Sequence, residues 1–343
     1  MLTERQLLVL QVIIDEFIQT AQPVGSRSIS KKGEVTFSSA TIRNEMADLE
    51  EMGLIEKTHS SSGRVPSEKG YRFYVDHLLS PFRLSNKEIH SIQETFRDQM
   101  LEFERVVQKS AGILSDLTNY TSIILGPEVF ETKLKQLQIV PLTPQTAVAI
   151  LVTNTGHVEH RAFNIPQEIE ANDLEKMVNI LNDRLYGVPL VQLHEKIFNE
   201  VGDLLKTHTR NYEQAFQYLQ AALLNEQPAK LYVGGKTNIL MQPEFKDLEK
   251  VRSLYAMMEK ESEIVHLLRS EHPGIHVKIG HENEVDAMQD CSLITASYAL
   301  GDDQIGTIAL LGPTRMEYNR VIKLMNVLSS EMTDTFKSWY QGE

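Results

Sequence analysis

A chain of 343 residues, 41% hydrophobic and 24% charged, has an ordinary globular composition and room for about two to three domains. Its 34 Lys and Arg against 47 Asp and Glu give a net charge of −13, which argues against a nucleic-acid coat protein or a polybasic membrane binder but not against a small DNA-reading domain within an acidic chain. One cysteine, Cys291, excludes an intrachain disulfide and a CxxC metal site; with no signal-peptide pattern and no 18-residue apolar run, a soluble, reduced, cytoplasmic protein without membrane contact is expected.

Thr3 and Gln6 have the spacing of a capping box, and Leu7, Leu10, Ile14 and Phe17 then line one stripe of a helix that Pro23 should stop. Ser26 can cap a short second helix through Ile29, with Gly33 as a left-handed stop. Ser38 or Ser39 caps a third helix with Ile42, Met46, Leu49 and Met52 on its apolar face and Gly53 at its end. Leu54–Thr58 reads as a strand, His59-Ser60-Ser61-Ser62-Gly63 as a small polar tip, and Arg64-Val65 as a return strand ended by Pro66. Ser67 caps a fourth helix with Tyr71, Tyr74, Val75 and Leu78 inward. This is the order of a winged helix-turn-helix whose third helix is the reader.

The charge here is patterned. Arg27, Lys31, Lys32 and Arg43 form one basic patch; Lys57, Arg64, Lys69 and Arg72 form a second. Glu45, Asp48, Glu50, Glu51 and Glu56 lie between them. Either one positive face or scattered solvated charge follows. A reader helix needs short polar side chains in its first turn, so that its backbone approaches base edges in the major groove. Ser38, Ser39, Thr41, Arg43 and Asn44 meet that need. His59, Ser60, Ser61, Ser62, Gly63 and Arg64 suit phosphate or minor-groove contact, and Arg27, Lys31 and Lys32 are candidate DNA-backbone contacts. A winged helix used only for protein contact, or one reading RNA, is the alternative.

The run Thr41-Ile42-Arg43-Asn44-Glu45-Met46 through Gly53-Leu54-Ile55 and on to Ser62-Gly63-Arg64-Val65-Pro66-Ser67-Glu68-Lys69-Gly70-Tyr71-Arg72 closely resembles the heat-inducible transcription repressor family, HrcA. Gly312-Pro313-Thr314-Arg315-Met316-Glu317-Tyr318 continues the resemblance, which covers essentially the whole chain. It implies a homodimeric repressor of chaperone operons, with a winged helix, a GAF-like domain and a dimerising insert. It also implies an inverted-repeat operator in double-stranded DNA, CIRCE, and modulation by the chaperonin.

Beyond the reader, residues 86–118 read as one long helix with Ile89, Ile92, Phe96, Phe103, Val106, Ile113 and Leu117 on a heptad seam interrupted by Gln99 and Ser110. That helix either packs on its own domain or forms a dimer seam or lever. Strand candidates follow at Ser122–Leu125, Leu134–Val140, Thr146–Thr153, Val158–Ile165, Leu231–Gly234, Ile275–Ile279, Ser292–Leu300 and Gln304–Leu311, with a hairpin turn at Gly301-Asp302-Asp303. Residues 172–224 are mainly helical and interrupt the strand series as an insert would. A last helix runs through Val321, Leu324, Leu328, Met332 and Phe336. The expected fold class is α+β multidomain. Its parts are a winged helix at 1–80, a linker helix at 81–119, a GAF-like domain at 120–165 and 246–343, and an inserted dimerisation domain at 166–245.

Catalytic, metal and cofactor readings are weak. His157 and His160 point to opposite faces of a strand, and His272 and His276 flank a turn, so surface histidines are preferred to a metal set with His281 and Glu282. Gly234-Gly235-Lys236-Thr237 lacks the spacing of a phosphate loop and reads as a turn, and Cys291 reads as a buried or neutral thiol. Three functions remain open: a stress-sensing DNA-binding repressor, a metabolite-gated regulator with a ligand pocket in the GAF-like domain, and a cytosolic enzyme with an accessory winged helix. No catalytic constellation supports the third, so neither enzyme activity nor a cofactor is expected.

Overall fold

Helix α1, Glu4–Thr20, starts on the expected box: Gln6 N donates to Thr3 Oγ1 at 3.3 Å and Thr3 N to Gln6 Oε1 at 3.0 Å. It ends before Pro23, because Ala21 takes the left-handed conformation at φ 52° and donates its N–H to Phe17 O. The computed structural model describes residues 2–33, 35–58, 63–97, 103–126, 133–143, 145–154, 158–164, 171–188, 193–197, 231–268, 273–300 and 303–341.

Helix α2, Ser26–Ile29, is capped by Gly25 rather than Ser26, and Gly33 is not among the left-handed glycines. Helix α3, Ser39–Glu51, has Ser38 as its cap, with Thr41 N donating to Ser38 Oγ at 3.1 Å. Ile42, Met46 and Leu49 are buried, whereas Met52 is 37% exposed. Gly53 follows at φ +72°, a conformation that costs glycine nothing. Strands β1, Ile55–Lys57, and β2, Arg64–Pro66, pair antiparallel with Glu56 opposite Val65, and residues 59–62 lie outside the described chain. Helix α4, Glu68–His77, is capped by Ser67, whose hydroxyl accepts from Gly70 N at 3.0 Å and donates to Gly53 O at 2.6 Å. Gly70 is required there: a Cβ would stand 2.0 Å from the Leu54 carbonyl oxygen.

The single helix expected over 86–118 is two helices, α5 at Asn86–Phe96 and α6 at Phe103–Thr118, with residues 98–102 between them outside the described chain. The two pack on each other. Ile92 and Val106 are buried in the same core, and Ile89, Phe96, Ile113 and Leu117 pack against it. The apolar seam is therefore consumed within the chain, which removes the lever reading for these side chains.

Strand β3, Thr121–Leu125, does not share a sheet with the next three. Strands β4, Leu134–Thr143, β5, Thr146–Thr153, and β6, Val158–Asn164, form their own antiparallel sheet. Its buried face, with Leu134, Leu137, Ala149 and Leu151, packs on Met177, Leu181 and Leu185 of α7, Ala171–Leu185, and on Leu193 and Ile197 at helix α8, Leu193–Lys196. Gly187 closes α7 at φ +74°. The break expected at 165/166 thus falls between β3 and β4 in the sheets, because β4–β6 and α7 bury one shared core of their own.

Five strands make the second sheet. Strand β7, Leu231–Gly234, precedes helices α9, Leu248–Met258, and α10, Glu261–Leu268; strands β8, Ile275–Ile279, β9, Cys291–Leu300, and β10, Asp303–Pro313, follow. The order is β7-β3-β10-β9-β8, all antiparallel. Alternation assigns the faces. Ile124, Ile294, Tyr298, Ile308 and Leu310 face α5, α6 and the last helix, α11, Tyr318–Gln341. Ile123, Leu125, Leu293, Ala309 and Leu311 face Leu254, Met257, Ile264 and Leu268 of α9 and α10. The first of these cores runs without interruption from Val9 and Leu10 of α1 to Met332 and Phe336 of α11, so the reader and the body are welded by shared apolar packing.

Candidate nucleic-acid interface

Helix α3 packs on α1, α2 and β1, and its outer side carries exposed Ser38, Arg43 and Asn44. Among the described residues, the side chains of Arg43 and Asn44 form no hydrogen bond or ion pair, and both are available to a ligand. Ser38 Oγ lies 3.0 Å from Thr41 Oγ1, and Ser39 Oγ donates to Ser30 Oγ at 3.0 Å, so the hydroxyls of this turn are already ordered. Ordering them beforehand lowers the entropy lost when a base edge or phosphate arrives.

Three carboxylates of the acidic block on α3 are taken up by other elements, whereas Glu51 and, on β1, Glu56 are exposed. Glu45 lies 4.0 Å from the Arg5 guanidinium, Asp48 accepts from Gln6 Nε2 at 3.3 Å, and Glu50 pairs with Arg64 at 2.7 Å. These carboxylates turn toward α1 and the hairpin. Of the first basic patch, Arg27, Lys31 and Arg43 are exposed, while Lys32 lies 3.5 Å from Glu16. That patch stays outward.

Of the second patch, Lys57 is exposed and the other three are used internally. Arg64 has an 18% exposed side chain and also donates Nε to Glu50 Oε2 at 2.8 Å, so it braces β2 against α3 rather than offering a free cation to phosphate. Lys69 Nζ donates to Met52 O at 2.8 Å, capping the end of α3. Arg72 is paired with Glu282. Gly63 is not a flexible tip: it is buried against Pro23, whose backbone would stand 2.8 Å from any Cβ there. His59, Ser60, Ser61 and Ser62 fall outside the described residues.

The remaining candidates resolve as structure. His160 is exposed on β6, and His157 and His272 lie outside the described residues. His281 Nδ1 sits 2.8 Å from Glu68 Oε1. Among the described residues no group of three or more His, Cys, Asp or Glu could hold a metal, and no helix is long and apolar enough to cross a membrane. Gly235 is a turn residue at φ +61°. Cys291 is buried, and burial pushes its thiol up to about 12.

A family model described as HrcA protein C terminal domain matches residues 104–322. The curated protein named Heat-inducible transcription repressor HrcA, from Oceanobacillus iheyensis, is 59% identical over 343 residues, all of both chains. A solved structure described as a hypothetical protein covers 98% of this chain and 99% of its own at 24% identity, with a TM-score of 0.70, a likeness of fold. The chain belongs to the HrcA family.

In this HrcA-family chain the motif around Arg315 and the one around Tyr71 meet. The Tyr71 and Tyr318 rings lie 5.9 Å apart, and Asn319 Nδ2 donates to Tyr74 OH at 3.2 Å, which itself donates to Asp15 Oδ1 at 2.7 Å. Arg72 donates Nε to Glu282 Oε1 at 2.7 Å and Nη2 to Val277 O at 2.5 Å. The bond to Glu282 raises the Arg72 pKa; burial works to raise Glu282, but Arg72 and the Ile279 amide outweigh it and hold that carboxyl below its usual value. No spacing in the sequence pointed to these contacts, because the partners are some two hundred residues apart in the chain.

Among the described residues the buried Tyr71 hydroxyl has no hydrogen-bond partner, and desolvation raises its pKa well above 10.0. Tyr71→Phe is therefore expected to leave stability unchanged or to raise it by up to roughly 1–3 kcal/mol, read from urea midpoints. A loss of more than about 1 kcal/mol would reveal a hydroxyl bond that the geometry does not contain.

Proposed function

We propose that the chain is a DNA-binding repressor of heat-shock operons, acting as a homodimer on an inverted-repeat operator of the CIRCE type. The α1–α4 unit with β1 and β2 is read as a winged helix-turn-helix. The five-stranded sheet with its helices is read as the GAF-like body, and the β4–β6 and α7 unit with the segment after it as the dimerising insert. One observation carries the DNA reading: α3 presents Arg43 and Asn44 outward while Glu45, Asp48 and Glu50 are engaged with α1 and the hairpin, and exposed Glu51 lies at the far end of the helix. The name of the Oceanobacillus iheyensis relative supports the heat-inducible repressor role. Arg27 and Lys31 are assigned to the DNA backbone, and Ser38, Ser39, Thr41, Arg43 and Asn44 to the reader turn.

The chaperonin is the proposed modulator. The metabolite-gated alternative receives less support, because both faces of the five-stranded sheet are occupied by buried side chains, with the tilted Tyr298 and Phe336 rings 5.7 Å apart. The test is to sequence the genomic DNA that the purified protein retains at moderate salt. One inverted repeat upstream of chaperone genes is the expected result; sequence-independent retention overturns it. The double variant Arg27→Ala, Lys31→Ala is expected to reduce the salt slope by about 2 per half-site, about 4 for the dimer, while leaving the preferred sequence unchanged.

A further inference from the structure

Helix α1 ends without a basic residue in its last turn. The Phe17 carbonyl is taken by Ala21 N, and Gln22 N turns to Thr20 Oγ1 at 3.2 Å, which leaves Ile18 O for another donor. That donor comes from the body. Arg315 Nη1 donates to Ile18 O at 2.6 Å, across 297 positions of chain. Its Nε donates to Glu244 Oε1 at 2.6 Å and its Nη2 to Glu244 Oε2 at 3.4 Å. The side chain is 13% exposed. A cation held by a carboxylate at a helix C-terminus satisfies both the orphan carbonyl and the helix dipole.

A second clasp closes the other end of the reader unit. Glu68, at the start of α4, accepts from His281 N at 3.1 Å and faces the His281 ring, and Arg72 one turn later holds Glu282. The loop carrying His281 is shaped for this contact. Gly280 sits at φ +54°, and a Cβ there would stand 2.1 Å from the Glu68 carboxylate. The shared apolar core holds the two units together without direction, and two clasps of directional bonds on different helices set the tilt and the rotation of the reader on the body. The covalent connection between α4 and α5 fixes neither, since residues 80–83 are exposed.

We infer that Arg315 is a positioning residue for operator reading, which ties the end of α1 to the body and thereby sets the distance and angle between the two readers of a dimer. The inference rests on the dimeric DNA reading above. A clasped reader meets the second half-site at one spacing. A reader held less firmly meets several, at a lower effective concentration for each.

The experiment uses the full-length protein and fluorescent DNA carrying either one half-site or an inverted repeat with graded spacers. Wild type should prefer one spacer by about tenfold over spacers changed by half a helical turn. Arg315→Ala should bind the single half-site as wild type does, while the preferred operator loses about tenfold and the spacer preference flattens. Arg315→Lys, which can reach one carbonyl but cannot fork, should recover part of the preference. Glu68→Ala opens the other clasp, and a flattened spacer response there supports the same assignment if Arg315→Ala does not fold. Tryptic cleavage at exposed Arg83, followed without DNA, should be faster in both clasp variants. An unchanged spacer preference in Arg315→Ala overturns the inference. If wild type binds no operator, the DNA reading fails separately, and unchanged cleavage at Arg83 then overturns the clasp.

Discussion

Asn44→Ala and Arg43→Ala are each expected to weaken operator binding by roughly 1–3 kcal/mol per half-site, the range of one good base-edge contact. A dimer doubles the loss, since both half-sites lose the same contact. The two variants should differ in kind. Asn44 is uncharged and exposed in the second turn of α3, so its loss should relax base preference at one position and leave the salt slope alone. Loss of the Arg43 charge should also lower the slope by about 1 if the guanidinium touches phosphate, and not if it reads a base edge. Glu50→Ala is the internal control. It frees Arg64 from its 2.7 Å partner and loosens the brace between α3 and the hairpin, so its effect should be smaller and without sequence preference. The measurement is a titration of operator and single-base variants by anisotropy at several salt concentrations. Unchanged affinity in both Asn44→Ala and Arg43→Ala removes α3 as the reader.

The reader unit was largely legible because its signals are local. Ser38, Ser67 and Thr3 each announce a helix start by hydrogen bonds spanning three residues, and Gly53 announces a stop by a backbone conformation. The roles of its charges were not legible. Arg64 and Lys69 look like surface cations in sequence; one pairs with a carboxylate fourteen positions back and the other caps a helix seventeen positions back. The strands of the body were found at nearly their observed bounds, since alternation is also local. Their division into two sheets was not, because period-2 patterning says which face of a strand is buried and not which strand lies beside it. The long helix over 86–118 failed for a related reason. A 3–4 alternation continues through a helical hairpin as readily as through one rod, and only the contact of α5 with α6 distinguishes them. Arg315, Glu68 and Glu282 carried no signal at all as a set, because they are brought together only by the final fold.

Cys291 is expected to react with a thiol reagent at pH 8 about a thousandfold more slowly than an exposed cysteine, and to become reactive only when the body opens. Cys291 begins β9, is fully buried in the core that also holds Leu293 and Leu311, and its backbone carbonyl accepts from Asn283 Nδ2 at 3.0 Å. Burial moves the thiol from 9.0 to about 12, the Asp290 carboxylate adds to that, and Lys250 opposes it. Three units leave about one thousandth of the usual thiolate, and burial adds a steric block. The residue is thus a native reporter on the five-stranded sheet, in a core separate from the one that holds Ile42, Met46 and Leu49 of α3. Labelling followed beside operator binding across a temperature ramp locates the heat response. If heat releases the operator by opening the body and exposing apolar strands that a chaperonin can hold, Cys291 labelling and loss of binding rise together. If binding is lost while Cys291 stays protected, heat acts at the dimer contact or at the clasps on α1 and α4. Fast labelling of the cool, operator-bound protein would contradict the burial itself. Because the reagent traps only the open form, added chaperonin that returns molecules to the closed state should slow labelling in proportion to the binding it restores.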